Sequence, residues 1–168
     1  EDFPVFGMDA YGRNKLQIER NLAEILGDHL TILRPGNVIG FEIIPGRRRL
    51  GAFLLNQLAQ TECIHITVSP SVRRDIVPAS FFCTVLRDIL QKQPSGIYNV
   101  GTGEAAEIGQ VALWMIEGFG KGKLVVENPQ VVDEFQLDTA CLQQLTGLSC
   151  GRAEVARYCR DLGRRLAL

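Results

Sequence analysis

Short apolar runs alternate with longer stripes of helical period along most of the chain, and this alternation limits the folds that it can adopt. Four runs of high β-propensity predict strands, at residues 31–34, 63–68, 97–100 and 123–126. Apolar residues three and four apart predict helices at residues 10–26, 50–60, 107–118, 138–146 and 152–166, and Pro78 opens another. Strands and helices that intermingle in this way predict an α/β protein.

Charge and cysteine content argue against several classes of function. The net charge of −1 provides no electrostatic attraction to nucleic acid or to an anionic membrane. The five cysteines form no CxxC pair and only two histidines are present, which argues against a metal site. An odd number of scattered cysteines is typical of reduced thiols, so we expect a cytoplasmic protein. No apolar run approaches the ~20 residues of a membrane span.

A glycine-rich turn between a strand and a helix raises the question of a nucleotide site. Residues 97–109 (IYNVGTGEAAEIG) resemble the dinucleotide-binding fingerprint, and Glu127 ends the next apolar run. That fingerprint needs further β-α units to complete a nucleotide-binding half, and only one clear strand follows here. A turn signal at residues 128–129 also departs from it. We therefore predict that residues 101–106 form a structural turn and do not bind the cofactor.

The first predicted helix carries a tyrosine and a lysine on an apolar face. Spacings of 4, 3, 4 and 3 residues place five side chains on one side of it: Tyr11, Lys15, Ile18, Leu22 and Ile25. We expect the three aliphatic side chains to be buried. Burial of a lysine on such a stripe costs free energy unless its ammonium has a partner or a function. Its long side chain can also extend the ammonium to solvent at the edge of the core.

A tyrosine and a lysine one helical turn apart can form an acid–base pair. The ammonium stabilises the phenolate, so the phenol can exchange a proton with a substrate hydroxyl while a hydride is transferred. The alternative is a tyrosine at the edge of the core beside a solvated lysine. The spacing alone does not distinguish the two.

Four motifs, in order, resemble the C-terminal portion of extended short-chain dehydrogenase/reductases, and the nucleotide-sugar epimerase/dehydratase branch fits best. Residues 11–15 (YGRNK), with Glu19 four residues on, resemble the active-site helix of that family. Residues 33–40 (LRPGNVIG) resemble its Arg-Pro-x-Asn-Val-Tyr-Gly strand and loop, and residues 73–77 (RRDIV) resemble its Arg-Asp-Phe-Ile stretch. Residues 96–104 (GIYNVGTGE) resemble its Tyr-Asn-Val-Gly-x-Gly turn. Together the motifs span nearly the whole chain.

The resemblance implies roles for five residues around a nicotinamide cofactor, NAD or NADP. It implies that Tyr11 is the catalytic acid/base. It also implies that Lys15 stabilises the phenolate and hydrogen-bonds the nicotinamide ribose. By the same resemblance, Pro35, Asn37 and Val38 are expected beside the cofactor.

On the substrate side, the resemblance implies roles for an asparagine and an arginine. Asn37 is expected to join the cofactor and substrate sites, and Arg74 to bind the diphosphate of a sugar nucleotide. The alternatives are a loop-capping role for Asn37 and an ion pair of Arg74 with Asp75 or another acid. Residues 47–49 (RRR) are predicted to form a solvated loop, with contact to a substrate phosphate as the alternative.

The chain departs from the family pattern at several positions. The helix that the family opens with an acidic pair begins here with residues 78–82 (PASFF), Ile39 replaces a tyrosine, and residues 128–138 have no match for a second basic residue of the family. Family members also carry a pyrophosphate loop, a ribose-binding acid and a catalytic Ser or Thr before the active-site helix. We expect those parts to lie outside this sequence.

The resemblance divides the chain near residue 45. Residues 1–45 are expected to be the C-terminal part of a Rossmann-type cofactor domain, with the catalytic helix and the next strand of a parallel sheet. Residues 46–168 are expected to form a smaller, mixed α/β substrate-binding region. Whether residues 70–105 return to the Rossmann sheet is open.

The leading hypothesis is the C-terminal part of an NAD(P)-dependent epimerase, dehydratase or reductase of a nucleotide-linked sugar, inactive on its own. One alternative is a non-catalytic module or assembly partner whose other half comes from another chain. Another is a reductase of the same superfamily for a non-sugar alcohol or ketone. The expected partners are a nucleotide-diphosphate sugar, a second copy of the chain or the N-terminal part, and neither nucleic acid nor a membrane.

Overall fold

The computed structural model describes residues 9–41, 49–127, 129–130 and 133–168. The helices are α1 (Ala10–Leu26), α2 (Leu50–Thr61), α3 (Ala79–Lys92), α4 (Ile108–Phe119), α5 (Ala140–Thr146) and α6 (Arg152–Leu166). The strands are β1 (Thr31–Pro35), β2 (Asn37–Ile39), β3 (Cys63–Ile66), β4 (Arg73–Arg74), β5 (Ile76–Pro78), β6 (Gly96–Val100), β7 (Ala106–Glu107), β8 (Lys123–Val126) and β9 (Glu134–Phe135). The predicted α/β class is confirmed.

Local signals explain both ends of α1. The side chain of Asp9 accepts a hydrogen bond of 2.7 Å from the backbone N–H of Gly12, which caps the N-terminus. Gly27 follows the last helical residue with a φ of 50°, a conformation that glycine adopts at little cost. The helix therefore begins and ends where the sequence predicts.

The apolar face of α1 is exposed, so the expectation that it is buried is wrong. Ile18, Leu22 and Ile25 are 50%, 39% and 76% exposed, and no residue of the helix is buried. Helical periodicity indicates that a face favours burial, but it does not say which element covers that face. Among the described residues, no element covers it.

The strands pair mainly in parallel. β1 pairs with β6, with Thr31 opposite Gly96 and Pro35 opposite Val100. β2 pairs with β5 and β3 pairs with β8, both in parallel. β4 lies between β7, which is antiparallel to it, and β9, which is parallel. Parallel pairs whose strands are joined through helices are typical of α/β folds.

One edge of β1 has no partner strand within the described ranges. The carbonyl of Leu30 accepts a hydrogen bond from the first residue of β6, and the N–H of Gly36 donates one to its last residue. The peptide groups of even-numbered residues therefore face β6. Because these groups alternate along a strand, those of Thr31 and Leu33 point to the opposite edge.

Different helices cover the two faces of β1. Leu33 packs in a cluster with Val85 and Ile89 of α3, whereas Arg34 binds Glu19 of α1. Successive side chains of a strand point to opposite faces, so α1 and α3 lie on opposite sides of β1.

The main core lies among α2, α4, α6 and β3. Its most buried side chains include Leu54, Leu58, Ile64, Val111, Met115 and Cys159. A second, smaller cluster lies beneath α3 and includes Val77, Val85, Ile89, Val100 and Leu142. Each large aliphatic side chain buried in this way stabilises the fold by about 1.5–3 kcal/mol. No helix in the described part of the chain is both long and apolar enough to cross a membrane.

Candidate functional site

Tyr11 and Lys15 lie together on the outer surface of α1. The ammonium nitrogen of Lys15 is 5.7 Å from the centre of the Tyr11 ring, within the range of a cation–π contact. The side chain of Tyr11 is 69% exposed. The structure thus brings the two predicted catalytic residues together and leaves both accessible from solvent.

An ion pair fastens this helix to β1. Arg34 donates hydrogen bonds of 3.1 Å and 2.5 Å to the two carboxylate oxygens of Glu19. Glu19 lies one turn beyond Lys15, and Arg34 directly precedes Pro35 at the end of β1. The ion pair therefore holds the helix face that carries Tyr11 and Lys15 near the end of β1.

Asn37 and Val38 lie in β2, just after β1. The N–H of Asn37 donates a hydrogen bond of 2.8 Å to the carbonyl of Asp75, which joins β2 to the segment before β5. Val38 packs at the edge of the cluster beneath α3 and is half-buried. Only Gly36 separates these two residues from Pro35, so the three predicted cofactor contacts on this segment lie within four residues of one another at the end of β1.

Arg74 is paired with an acid, although not with its neighbour in sequence. Its guanidinium donates a hydrogen bond of 2.6 Å to the carboxylate of Asp133 and one of 2.8 Å to the carbonyl of Arg73. Its side chain is 24% exposed, whereas that of Asp133 is 59% exposed. Arg74 is thus held in one orientation by the carbonyl of Arg73 and by a largely solvated carboxylate.

The glycine-rich turn after β6 binds a carboxylate of the protein itself. One carboxylate oxygen of Asp75 accepts hydrogen bonds from the N–H and the hydroxyl of Thr102, at 2.7 Å and 2.8 Å. The other accepts from the N–H groups of Gly103 and Leu137, each at 3.2 Å. Asp75 occupies donors of the turn that a phosphate would need, and this arrangement fits the predicted structural role of the turn.

Two glycines allow backbone and carboxylate to approach this closely. A Cβ atom on Gly101 would lie 2.6 Å from a carboxylate oxygen of Asp75, and one on Gly36 would lie 2.8 Å from its carbonyl oxygen. The glycines of the two motifs are therefore required by packing against Asp75.

The arginine run at residues 47–49 is only partly within the described residues. Arg47 and Arg48 lie outside them. Arg49 is the residue before α2 and lines a small cavity of about 120 Å³ together with Val38.

The sequence did not indicate two of these arrangements. The role of Asp75 was not predicted, because an acid between two arginines and a short apolar strand is more often an ion-pair partner than a buried, hydrogen-bonded carboxylate. The choice of Asp133 as the partner of Arg74 had no local signal, because the two lie 59 residues apart.

Comparison with solved structures establishes the fold. No protein-family model matches the chain, and no curated protein matches it in sequence. The structure of RMD from Pseudomonas aeruginosa complexed with NADPH is similar, with a TM-score of 0.80 and 17% identity over 99% of this chain. TunA, an NAD-dependent NDP-hexosamine 5,6-dehydratase of tunicamycin biosynthesis, has a TM-score of 0.79 and 19% identity over 98% of it.

A third similar structure is the UDP-glucose-4-epimerase from Stenotrophomonas maltophila with bound NAD and formylated UDP-arabinopyranose. Its TM-score is 0.77, with 18% identity over 99% of this chain. The chain spans 59%, 57% and 57% of the lengths of these three structures. It thus has the fold of a portion of such enzymes, and a C-terminal portion fits this coverage.

Proposed function

We propose that the chain is the C-terminal portion of a nicotinamide-dependent enzyme that acts on a nucleotide-linked sugar, with Tyr11 and Lys15 as the acid–base pair. One observation carries the proposal: the two side chains meet on a helix that an ion pair fastens to the strand ending at Pro35. The fold supports it, because similar structures include an epimerase with bound NAD and an NAD-dependent dehydratase.

The residues around Tyr11 fit a nicotinamide cofactor. The phenol is exposed, and the ammonium of Lys15 has no acidic partner among the described residues, so both can hydrogen-bond ribose hydroxyls. Pro35 lacks an N–H group and presents an apolar ring at the end of β1. The bound nicotinamide would supply the hydride acceptor or donor.

The chain's own part in the reaction is proton transfer. Tyr11 takes the proton of a substrate hydroxyl, or returns it, at its phenol oxygen. Lys15 stabilises the phenolate form through its positive charge, one helical turn away. The Glu19–Arg34 pair keeps this face of α1 in a constant position relative to the end of β1.

Arg74 is suited to bind the phosphate groups of the substrate. A planar guanidinium matches phosphate oxygens with two parallel hydrogen bonds. Its bond to the carbonyl of Arg73 orients it, and the exposed carboxylate of Asp133 occupies the position that a phosphate would take. Substrate binding therefore exchanges one anion for another at Arg74.

Turnover by the longest natural polypeptide that contains this sequence tests the proposal. UDP-glucose and dTDP-glucose are supplied with NAD⁺ or NADP⁺, and products are separated by chromatography. Tyr11→Phe is expected to lower kcat by about 10²–10⁴-fold, the usual contribution of an acid–base group.

The matched control is Tyr98→Phe, which removes a phenol that bonds the carbonyl of Ser95 away from α1. Its kcat is expected to equal that of the unmodified protein. Turnover of sugar nucleotides that is unaffected by Tyr11→Phe would contradict the assignment of Tyr11. Turnover of non-sugar alcohols alone would contradict the substrate class.

A second candidate function is a module that works only together with another α/β unit. The open edge of β1 and the bare face of α1 favour it. A groove of about 580 Å³ with a mixed polar and apolar lining lies between β1 and α3, and Leu33, Leu86 and Leu90 contribute to it. A strand added at the open edge of β1 would meet backbone donors on β1 and apolar side chains on both faces.

Hydrogen exchange separates this candidate from a self-sufficient chain. The amides of Thr31 and Leu33 are expected to exchange rapidly in the isolated 168-residue chain and slowly in the longest natural polypeptide. Slow exchange of both amides in the isolated monomeric chain would show that the edge needs no further unit.

A further inference from the structure

The backbone of Asp75 connects the segments that carry the proposed substrate-binding residues. Its carbonyl accepts the hydrogen bond from Asn37, and its N–H donates one of 2.9 Å to the carbonyl of Phe135. Arg74 precedes it directly in the chain. Asp75 is therefore bonded to β2 and β9 and is continuous with β4.

The side chain of Asp75 anchors this connection in the core. It is fully buried, and its two oxygens accept four hydrogen bonds from Thr102, Gly103 and Leu137. Hydrogen bonds to a buried carboxylate are strong, and losing them lowers the stability of the fold. The carboxylate thus ties the turn after β6 and the segment after β9 to one point.

We infer that Asp75 is a positioning residue that sets the relative placement of Asn37 and Arg74, and the inference rests on the function proposed above. It acts through those two residues and does not itself contact substrate. The three motifs meet at Asp75: Asn37 binds its carbonyl, Arg74 precedes it in the chain, and the glycine turn binds its carboxylate.

The chemistry of the side chain explains why an acid is needed. All four groups that contact it are donors, and a carboxylate is an acceptor at both oxygens. An asparagine would retain the acceptor facing Thr102. Its NH₂ group would face the N–H groups of Gly103 and Leu137. Because all of these groups are donors, no hydrogen bond would form there.

The first test measures backbone amides by NMR in the 168-residue chain and in its Asp75→Asn variant. The amides of Gly103 and Leu137 are expected to exchange about tenfold faster or more, the factor for a loss of ~1.4 kcal/mol. The amide signals of Asn37 and Arg74 are expected to shift with them. Unchanged amide signals of Asn37 and Arg74, in a variant in which the amides of Gly103 and Leu137 exchange faster, would overturn the inference.

The second test separates positioning from a merely structural role. In the longest natural polypeptide, Asp75→Asn is expected to raise KM for UDP-glucose by about 10–100-fold, with a much smaller change in kcat. Loss of folded protein alone would lower the apparent kcat and leave KM unchanged, which would contradict the inference. The matched control is Asp161→Asn, which removes a surface acid paired with Arg165 and should change neither constant.

A milder variant covers the case in which Asp75→Asn does not fold. Thr102→Val removes a hydroxyl that donates to Asp75 and accepts from the N–H of Glu104, and it keeps the backbone donors to Asp75. A smaller rise in KM at unchanged kcat supports the inference, and no change in either overturns it. If the unmodified polypeptide converts no sugar nucleotide, the proposed function fails, and the amide signals of the chain still decide whether Asp75 positions Asn37 and Arg74.

Discussion

Arg34 binds Glu19 through two hydrogen bonds, and this pair joins the helix of the candidate acid–base residues to the sheet. The two side chains are 32% and 21% exposed, so the pair is only partly screened by water. Two parallel hydrogen bonds also restrict rotation of the helix about its axis more than a single contact would. The orientation of Tyr11 and Lys15 thus depends on a pair that touches neither of them.

Glu19→Gln is expected to destabilise the chain by about 1–2 kcal/mol, because it removes the charge from a partly buried, two-bond pair. Urea unfolding followed by circular dichroism measures the change. Glu24→Gln, an exposed acid on the same helix, should change the stability by less than about 0.5 kcal/mol. Equal effects of the two substitutions would show that the pair contributes nothing specific.

Gly101→Ala is expected to destabilise the chain by about 1–3 kcal/mol, because the new methyl group would lie 2.6 Å from the Asp75 carboxylate. The thermal unfolding midpoint measures it. In the control, Gly151→Ala, the only close atom is a carboxylate oxygen of Glu154 at 3.3 Å, which is the far end of a side chain and not backbone. A midpoint for Gly101→Ala that matches this control would mean that the turn can move away from Asp75.

Asp133→Asn is expected to strengthen binding of UDP to the longest natural polypeptide by about 2–5-fold, because an exposed ion pair worth up to ~1 kcal/mol no longer competes for Arg74. Titration calorimetry measures the affinity. Glu134→Gln is the matched control, since it releases Arg73 instead. Stronger binding in the control, or weaker binding after Asp133→Asn, would contradict phosphate binding at Arg74.

Native cysteines are expected to differ in reactivity. Burial raises the pKa of Cys150 to about 11 and that of Cys159 to about 12, so both remain neutral thiols at pH 8. Cys83 and Cys141 are exposed. Labelling with a maleimide at pH 8, read by mass spectrometry, should modify these two first, and equally fast labelling of Cys150 would contradict the expectation.

The same two thiols make stability depend on alkaline pH. Their pKa values are higher in the folded chain than the ordinary value of 9.0, so the folded state holds the protons more tightly. The resulting stability is fully present below pH 9 and is lost as the pH rises toward 11–12. Urea midpoints between pH 8 and 11 should therefore fall, and less steeply in Cys159→Val.

Helix and strand positions could be predicted because their signals are local. Gly27 ends α1 and Pro78 precedes α3, as the sequence indicates, since the backbone preferences of these residues act within a turn. The pairing of Tyr11 with Lys15 follows equally from helical spacing. Whether the rest of that face is covered is not a local property, and there the expectation failed.

The sequence by itself determined the helices α1 to α6, the strands β1, β3, β6 and β8, the Tyr11–Lys15 face and the turn at Gly101. Only the tertiary structure decided that Asp75 fills that turn and that Arg74 binds Asp133. The reason is separation along the chain: these contacts join residues 27 and 59 positions apart, and Leu137 reaches Asp75 across 62. Local preference cannot select such partners, because the folded sheet alone brings them within hydrogen-bonding distance.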